Sequence, residues 1–179
     1  WRPTAKPVAV SDVNNEIRFV TARDGVRIAC ASAGTGPPLV KAPNWLSHAG
    51  IDGESPVWRH WWRELARDHS FVRFDQRGCG LSDWLVDDIS FDRWVNDLES
   101  VVDAFELDRF ALLGVSQGGA VAVEYAARHP ERLTHLVLVG AYATGWAKRP
   151  GPHDQGRALL TLIKTGWGSE NPAFRQIFT

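Results

Sequence analysis

Residues Phe110-Ala111-Leu112-Leu113-Gly114-Val115 run straight into Ser116-Gln117-Gly118-Gly119-Ala120 and a helical stretch that lasts to Arg128. No linker residue separates the two halves, so an apolar strand must become a helix across a single serine. A turn that tight forces its central residue into a strained backbone and lifts the hydroxyl clear of the sheet. The residues two before and two after come so close that side chains clash, and Gly114 and Gly118 remove them. The helix then begins beneath the hydroxyl, with its free N–H groups and positive dipole end where an oxyanion forms; the Gln117 N–H is the natural donor. Ser116 is the expected nucleophile. A dinucleotide fingerprint needs glycine where Ser116 stands, and a phosphate loop needs Lys-Ser/Thr where Gly119-Ala120 follows, so both nucleotide readings fail.

The rest of the chain supplies the scaffold such a turn requires. Ile17 to Thr21 and Val26 to Ala33 read as strands joined by an Asp24-Gly25 turn, a hairpin signal. Leu39 to Ala42 and Phe71 to Phe74 read as further short strands. Trp58, Trp61, Trp62 and Leu65 fall at i, i+3, i+4 and i+7 of a helix that follows Ser55. Ser90 reads as the N-cap of a helix whose stripe is Phe91, Trp94, Val95, Leu98, Val101, Val102 and Phe105. Leu133 to Val139 is a sixth strand. Strands alternating with helices call for a mostly parallel sheet with helices on both faces, mixed at its opening hairpin. Residues 1–15 read as a linker or N-terminal extension and 16–140 as core. Residues 141–179 change style, with helices expected near Gly156 to Lys164 and Pro172 to Phe178.

Composition narrows the partners. Twenty basic and 21 acidic residues give a net charge of -1 and no basic stripe, which argues against nucleic acid. The apolar runs are too short to span a bilayer. Cys30 and Cys79 stand far apart with no second ligand at metal spacing. No metal site, cofactor or disulfide framework is therefore expected, and two buried or half-buried thiols in a reducing, cytoplasmic setting are.

With the nucleophile turn, Asp75-Gln76-Arg77-Gly78-Cys79-Gly80-Leu81-Ser82 and the loop after the third strand in this order, the chain resembles the α/β-hydrolase superfamily. The resemblance implies an α/β-hydrolase fold truncated after strand six, with residues 141–179 as the start of a lid and the last core strands absent. It makes Asp75 and Arg77 structural braces. It also aligns Pro43-Asn44-Trp45 with the His-Gly turn that usually carries the second oxyanion donor. Trp45 then offers that N–H, and Asn44 replaces glycine in an unusual backbone conformation. The triad order Ser, then acid, then His implies that the acid and histidine follow Thr179, so this stretch alone is expected to be inactive. His129 and His135 read as structural. His48, Asn44 and Trp146 are candidate pocket residues. For Trp45, Trp146 and Trp167 pocket lining and packing both stay open, whereas Trp58, Trp61, Trp62 and Trp94 are spaced for packing.

More narrowly, Val40 to His48, the Arg77-to-Trp84 run and Asn171 to Gln176 resemble a bacterial subgroup often fused to nucleotide-cyclase or helix-turn-helix regulator modules. Two functions follow. One is a serine hydrolase acting on a small-molecule ester, lactone or similar acyl substrate through an acyl-enzyme. The other is a small-molecule-sensing domain that kept the fold and lost turnover, serving a fused signalling domain.

Overall fold

The computed structural model describes residues 16–45, 47–167 and 174, apart from the side chain of Trp146. The expected extension at 1–15 and, except for Phe174, the expected helix at 172–178 lie outside the described residues. The chain divides into two compact units, up to Tyr142 and from Ala143 onward.

The first unit holds six strands: β1 (Glu16–Thr21), β2 (Arg27–Ala33), β3 (Pro38–Ala42), β4 (Ser70–Phe74), β5 (Phe110–Val115) and β6 (Leu133–Val139). Their order across the sheet is β1-β2-β4-β3-β5-β6. The hairpin β1–β2 and the β2–β4 pair are antiparallel, and every other pairing is parallel. The Asp24-Gly25 turn forms as its sequence implies: Gly25 takes φ +89° and its N–H donates to Ala22 O at 2.9 Å.

Three helices cover the two faces: α1 (Arg59–Asp68), α2 (Phe91–Ala104) and α3 (Gln117–Arg128). Strand alternation sorts the sheet side chains between them. Ile28, Cys30, Val40, Val72, Phe74 and Leu112 bury against Val95, Leu98, Val101 and Val102 of α2 and Val121 and Tyr125 of α3. Ala31, Ala33, Leu39, Phe71 and Leu113 bury against Trp62 and Ala66 of α1, with Trp58 and Trp61 packed alongside. Trp62 meets Phe71 edge to face at 5.5 Å, and Trp94 packs on the α2 side, so all four helix-spaced tryptophans pack on the sheet.

Two local expectations shift. Helix α1 begins at Arg59, because residues 51–58 are taken up by turns such as Glu54 N–H to Ile51 O. Ser90 does occupy the N-cap position of α2, yet its side chain makes no capping bond; its own N–H donates to Asp88 Oδ1 at 2.8 Å. Strand β6 has β5 as its neighbour among the described residues, and Leu136, Val137, Leu138 and Val139 are exposed along it. The second unit contains a 3-10 turn at Trp146–Lys148 and the helix α4 (Asp154–Gly166), two residues longer at each end than the helix expected near Gly156 to Lys164. Within it Trp167 and Phe174 meet edge to face at 6.3 Å. No helix among the described residues is long and apolar enough to cross a membrane.

Candidate active site

Strands β3 and β5 lie side by side, but the chain leaves β3 toward β4 and leaves β5 toward β6, in opposite directions across the sheet. Their carboxyl ends therefore open a crevice at the point where strand order reverses, the usual ligand position in an open α/β sheet. Ser116 and the 43–45 turn both leave the sheet here, with Ala42 in register with Gly114.

Ser116 sits between β5 and α3 at φ +51°, ψ -119° and is exposed. It is one of two non-glycine residues with positive φ among those described. Such a conformation costs about 1–3 kcal/mol and persists only where the surroundings enforce it. The enforcement is visible. Ser116 N–H donates to Val139 O at 2.9 Å, and Ser116 O accepts from Gly119 N–H at 3.0 Å. A Cβ on Gly114 would lie 2.7 Å from Gly119 Cα, and one on Gly118 would lie 2.6 Å from Pro43 O and 2.9 Å from Ala42 O. Gly119, which the motif alone does not single out, is needed too: a Cβ there would collide with Ala141 Cβ. Gln117 is half-buried and is the first residue of α3. Its N–H therefore belongs to the first helical turn, where no i−4 carbonyl can accept it.

The Gly118 contacts bring the start of α3 against the main chain of the 43–45 turn. Asn44 does not adopt the glycine-like backbone expected of it: no positive φ occurs there. Buried instead, its side chain does the work of shaping the turn. Asn44 Oδ1 accepts a hydrogen bond from Lys41 Nζ, and Asn44 Nδ2 donates to Trp45 O at 3.0 Å. Trp45 is 48% exposed. His48 is half-buried and its Nδ1 accepts from Gly50 N–H at 3.2 Å, which leaves the ring proton on Nε2. Trp146 lies in the 3-10 turn of the second unit, and its side chain is outside the described residues.

Beneath the turn lies a group of charges that sequence reading passed over. Lys41 and Arg73 are both buried and stand opposite each other in the parallel β3–β4 register. Two like charges so placed repel, and four neighbours make the pair tenable. Arg73 forms an ion pair with Asp52 at 3.0 Å and donates to Ala49 O at 2.6 Å. Its guanidinium lies 3.2 Å from the Trp62 ring centre, and Lys41 Nζ lies 5.3 Å from that of Trp58. Burial pushes the Lys41 ammonium down to about 8 and Arg73 down to about 10, with Asp52 opposing both shifts. The signal was present as a lone cation in each of two apolar strand runs, Leu39-Val40-Lys41-Ala42 and Phe71-Val72-Arg73-Phe74.

Asp75 and Arg77 brace the loop after β4, as expected. Asp75 accepts from Ala49 N–H at 2.8 Å and from Leu81 N–H at 2.8 Å, and Ser82 Oγ donates to Asp75 O at 2.8 Å. Arg77 is buried between Asp97, at 2.7 and 2.8 Å, and Asp24, at 2.8 and 3.1 Å. These carboxylates raise its affinity for a proton, and the Arg77 guanidinium in turn draws Asp24 below the usual carboxylate range. Cys30 is buried and Cys79 half-buried, both free, and burial pushes them to about 12 and about 11. That is the wrong direction for a nucleophilic thiol. His129 packs on Tyr125 with ring centres 4.8 Å apart, and His135 is exposed on β6. No group of three or more metal-ligating side chains occurs among the described residues.

A mostly parallel sheet with an exposed, strained serine between strand and helix at its switch point defines the class as an α/β protein. Residues 46–159 match the family model described as alpha/beta hydrolase fold, and the chain belongs to that family. It is 34% identical over 157 residues to 2-hydroxymuconate semialdehyde hydrolase of Pseudomonas sp. (strain CF600), covering 86% of this chain and 49% of that protein. It is 31% identical over 147 residues to 2-hydroxy-6-oxo-2,4-heptadienoate hydrolase of Pseudomonas putida, covering 79% and 51%. The fold is similar to that of an esterase from Exiguobacterium antarcticum, with TM-score 0.73 and 25% identity over 89% of this chain and 59% of the esterase. The chain thus spans about half the length of the curated relatives it matches.

Proposed function

We propose that the protein is a serine hydrolase that cleaves an ester, lactone or similar acyl substrate through an acyl-enzyme. The single observation that carries this reading is Ser116, exposed at φ +51° between β5 and α3 and held there by glycine contacts no side chain could share. Membership of the hydrolase family and similarity to proteins named as hydrolases and an esterase support it.

Ser116 Oγ attacks the acyl carbonyl while a histidine takes its proton. The N–H groups of Gln117 and Trp45 hold the oxyanion, and each such donor is worth roughly 10²–10³ in rate. The imidazolium returns its proton to the leaving group, and water then releases the acyl group by the same steps in reverse. In this reading the histidine and the carboxylate that orients it are supplied by sequence that follows Thr179, the chain order this fold uses. Three of the described histidines are already engaged: His69 Nδ1 meets Leu65 O at 3.1 Å, His129 packs on Tyr125, and His48 Nδ1 accepts from Gly50 N–H.

A fluorophosphonate probe is expected to label the intact protein at Ser116, with labelling abolished in Ser116→Ala. Absence of labelling from neutral to mildly alkaline pH would overturn the reading. One observation favours a sensor instead: the 43–45 turn is closed by side-chain bonds and not by glycine. That alternative expects saturable binding of small acyl compounds that persists in Ser116→Ala, with no turnover.

A further inference from the structure

The buried cation in β3 has no place in the chemistry just described, yet it is the group that touches the turn. An ammonium only donates hydrogen bonds. By donating to Asn44 Oδ1, Lys41 therefore decides which way round the Asn44 amide sits, with Nδ2 turned to Trp45 O. A chain of two hydrogen bonds runs from the floor of the sheet to the far side of Trp45, the residue whose N–H is assigned to the oxyanion. The same turn is pressed from the other side by Gly118, which lies against the carbonyls of Ala42 and Pro43.

We propose that Lys41 is a positioning residue: its ammonium, seated beside Trp58 and bonded to Asn44, fixes the 43–45 turn so that the Trp45 N–H faces the oxyanion formed at Ser116. This rests on the serine-hydrolase reading. It explains why a chain would keep a charge inside a strand where an apolar residue would be more stable. Asn44 and Lys41 together do here what a glycine backbone does in the His-Gly turn.

The charges that face Lys41 are known from each direction. Asp52, in the segment before α1, and Asp75, after β4, favour its charged form; Arg73 on β4 opposes it. At the start of α1 it faces the neutral Trp58 ring, 5.3 Å from Nζ. With burial, the balance places loss of the Lys41 proton near pH 8. A neutral amine gains a lone pair and no longer dictates the Asn44 orientation, so the alkaline side of the rate profile should carry its signature.

The test uses the intact protein and two readouts. Lys41→Met is expected to slow fluorophosphonate labelling of Ser116 about tenfold and to remove the decline in labelling rate above pH 8. Asn44→Asp, which keeps an acceptor for Lys41 but has no Nδ2 donor, is expected to slow labelling similarly. The double variant is expected to be no slower than the worse single one, because both changes break one chain. Amide exchange, read by mass spectrometry without any turnover, is expected to rise about tenfold at residues 44–48 in Lys41→Met and to stay unchanged in β4 and β5. Normal labelling with an unaltered alkaline limb overturns the proposal. So does exchange that rises through the whole sheet, which would make Lys41 a support of the fold. If native protein is not labelled, the hydrolase reading falls, and the exchange data alone decide whether Lys41 holds the turn.

Discussion

Two turns leave the carboxyl ends of neighbouring strands, and they are built in opposite ways. The turn at Ser116 is made by taking atoms away. Gly114, Gly118 and Gly119 let three main-chain segments approach to distances no Cβ would permit, and the serine between them carries the strain. The turn at 43–45 is made by adding charge. Lys41 reaches Asn44, Asn44 reaches Trp45, and Arg73 with Asp52 sits beside them under the α1 tryptophans. The first kind of turn depends on shape and is indifferent to pH. The second depends on protonation, and it holds a buried cation at the expense of stability. A hydrolytic site needs both positions fixed, one for the nucleophile and one for a donor; this chain fixes only the first by close packing.

The largest effect should come from the atom that joins the two turns. Gly118→Ala places a methyl 2.6 Å from Pro43 O and 2.9 Å from Ala42 O, main-chain oxygens that cannot swing aside. A loss of about 3 kcal/mol in urea unfolding is expected, with labelling of Ser116 slowed more than 100-fold as the two turns are forced apart. Near-native behaviour would show that they do not touch in solution. Next comes the pH dependence of the charged turn. Lys41 in the folded protein, at about 8, lies below the 10.5 of a free lysine, so between these pH values the unfolded chain holds more protons. Stability therefore rises with pH through that window, by up to about 3 kcal/mol. Cys30, Cys79 and Tyr125, which burial pushes to about 12, 11 and 12, act in the opposite sense above about pH 9. The clean measurement is the difference between native protein and Lys41→Met in urea at pH 7.5 and pH 10.5. A difference that does not change with pH breaks the contrast between the turns.

The same contrast separates what the sequence reveals from what it hides. The glycine-built turn was legible because steric exclusion writes itself into residue identity: Gly114, Ser116 and Gly118 recur at fixed spacing between two periodicities. The sheet and the brace at Asp75 and Arg77 were legible for a related reason, since alternation and a local motif carry them. The charged turn was not legible. Reading Asn44 as a glycine substitute assumed that its backbone did the work, whereas its side chain does. Lys41 and Arg73 pair only because β3 and β4 lie in parallel register, and their partner Asp52 comes from a loop between those strands. A long-range arrangement of that kind leaves no local period. Trp58 and Trp62 were placed correctly on the sheet, but that they cover cations there follows from coordinates alone.

The smallest expected effect is the most direct measure of the strained turn. At φ +51°, ψ -119° any residue with a Cβ is strained, and glycine is not. Ser116→Gly should therefore recover roughly 1–3 kcal/mol of strain while losing about 0.4–1 kcal/mol to the greater freedom of the unfolded chain. The net expectation is a gain of about 1 kcal/mol in urea unfolding, with labelling abolished. Ser116→Ala is the necessary companion: it loses the same exposed hydroxyl but keeps the Cβ, so its stability should stay near native. The gap between the glycine and alanine variants then reads the strain itself, free of any hydroxyl contribution. Equal stability of the two would mean that the backbone at residue 116 is relaxed in solution, and with it would go the reason for Gly114, Gly118 and Gly119 to crowd the turn at all.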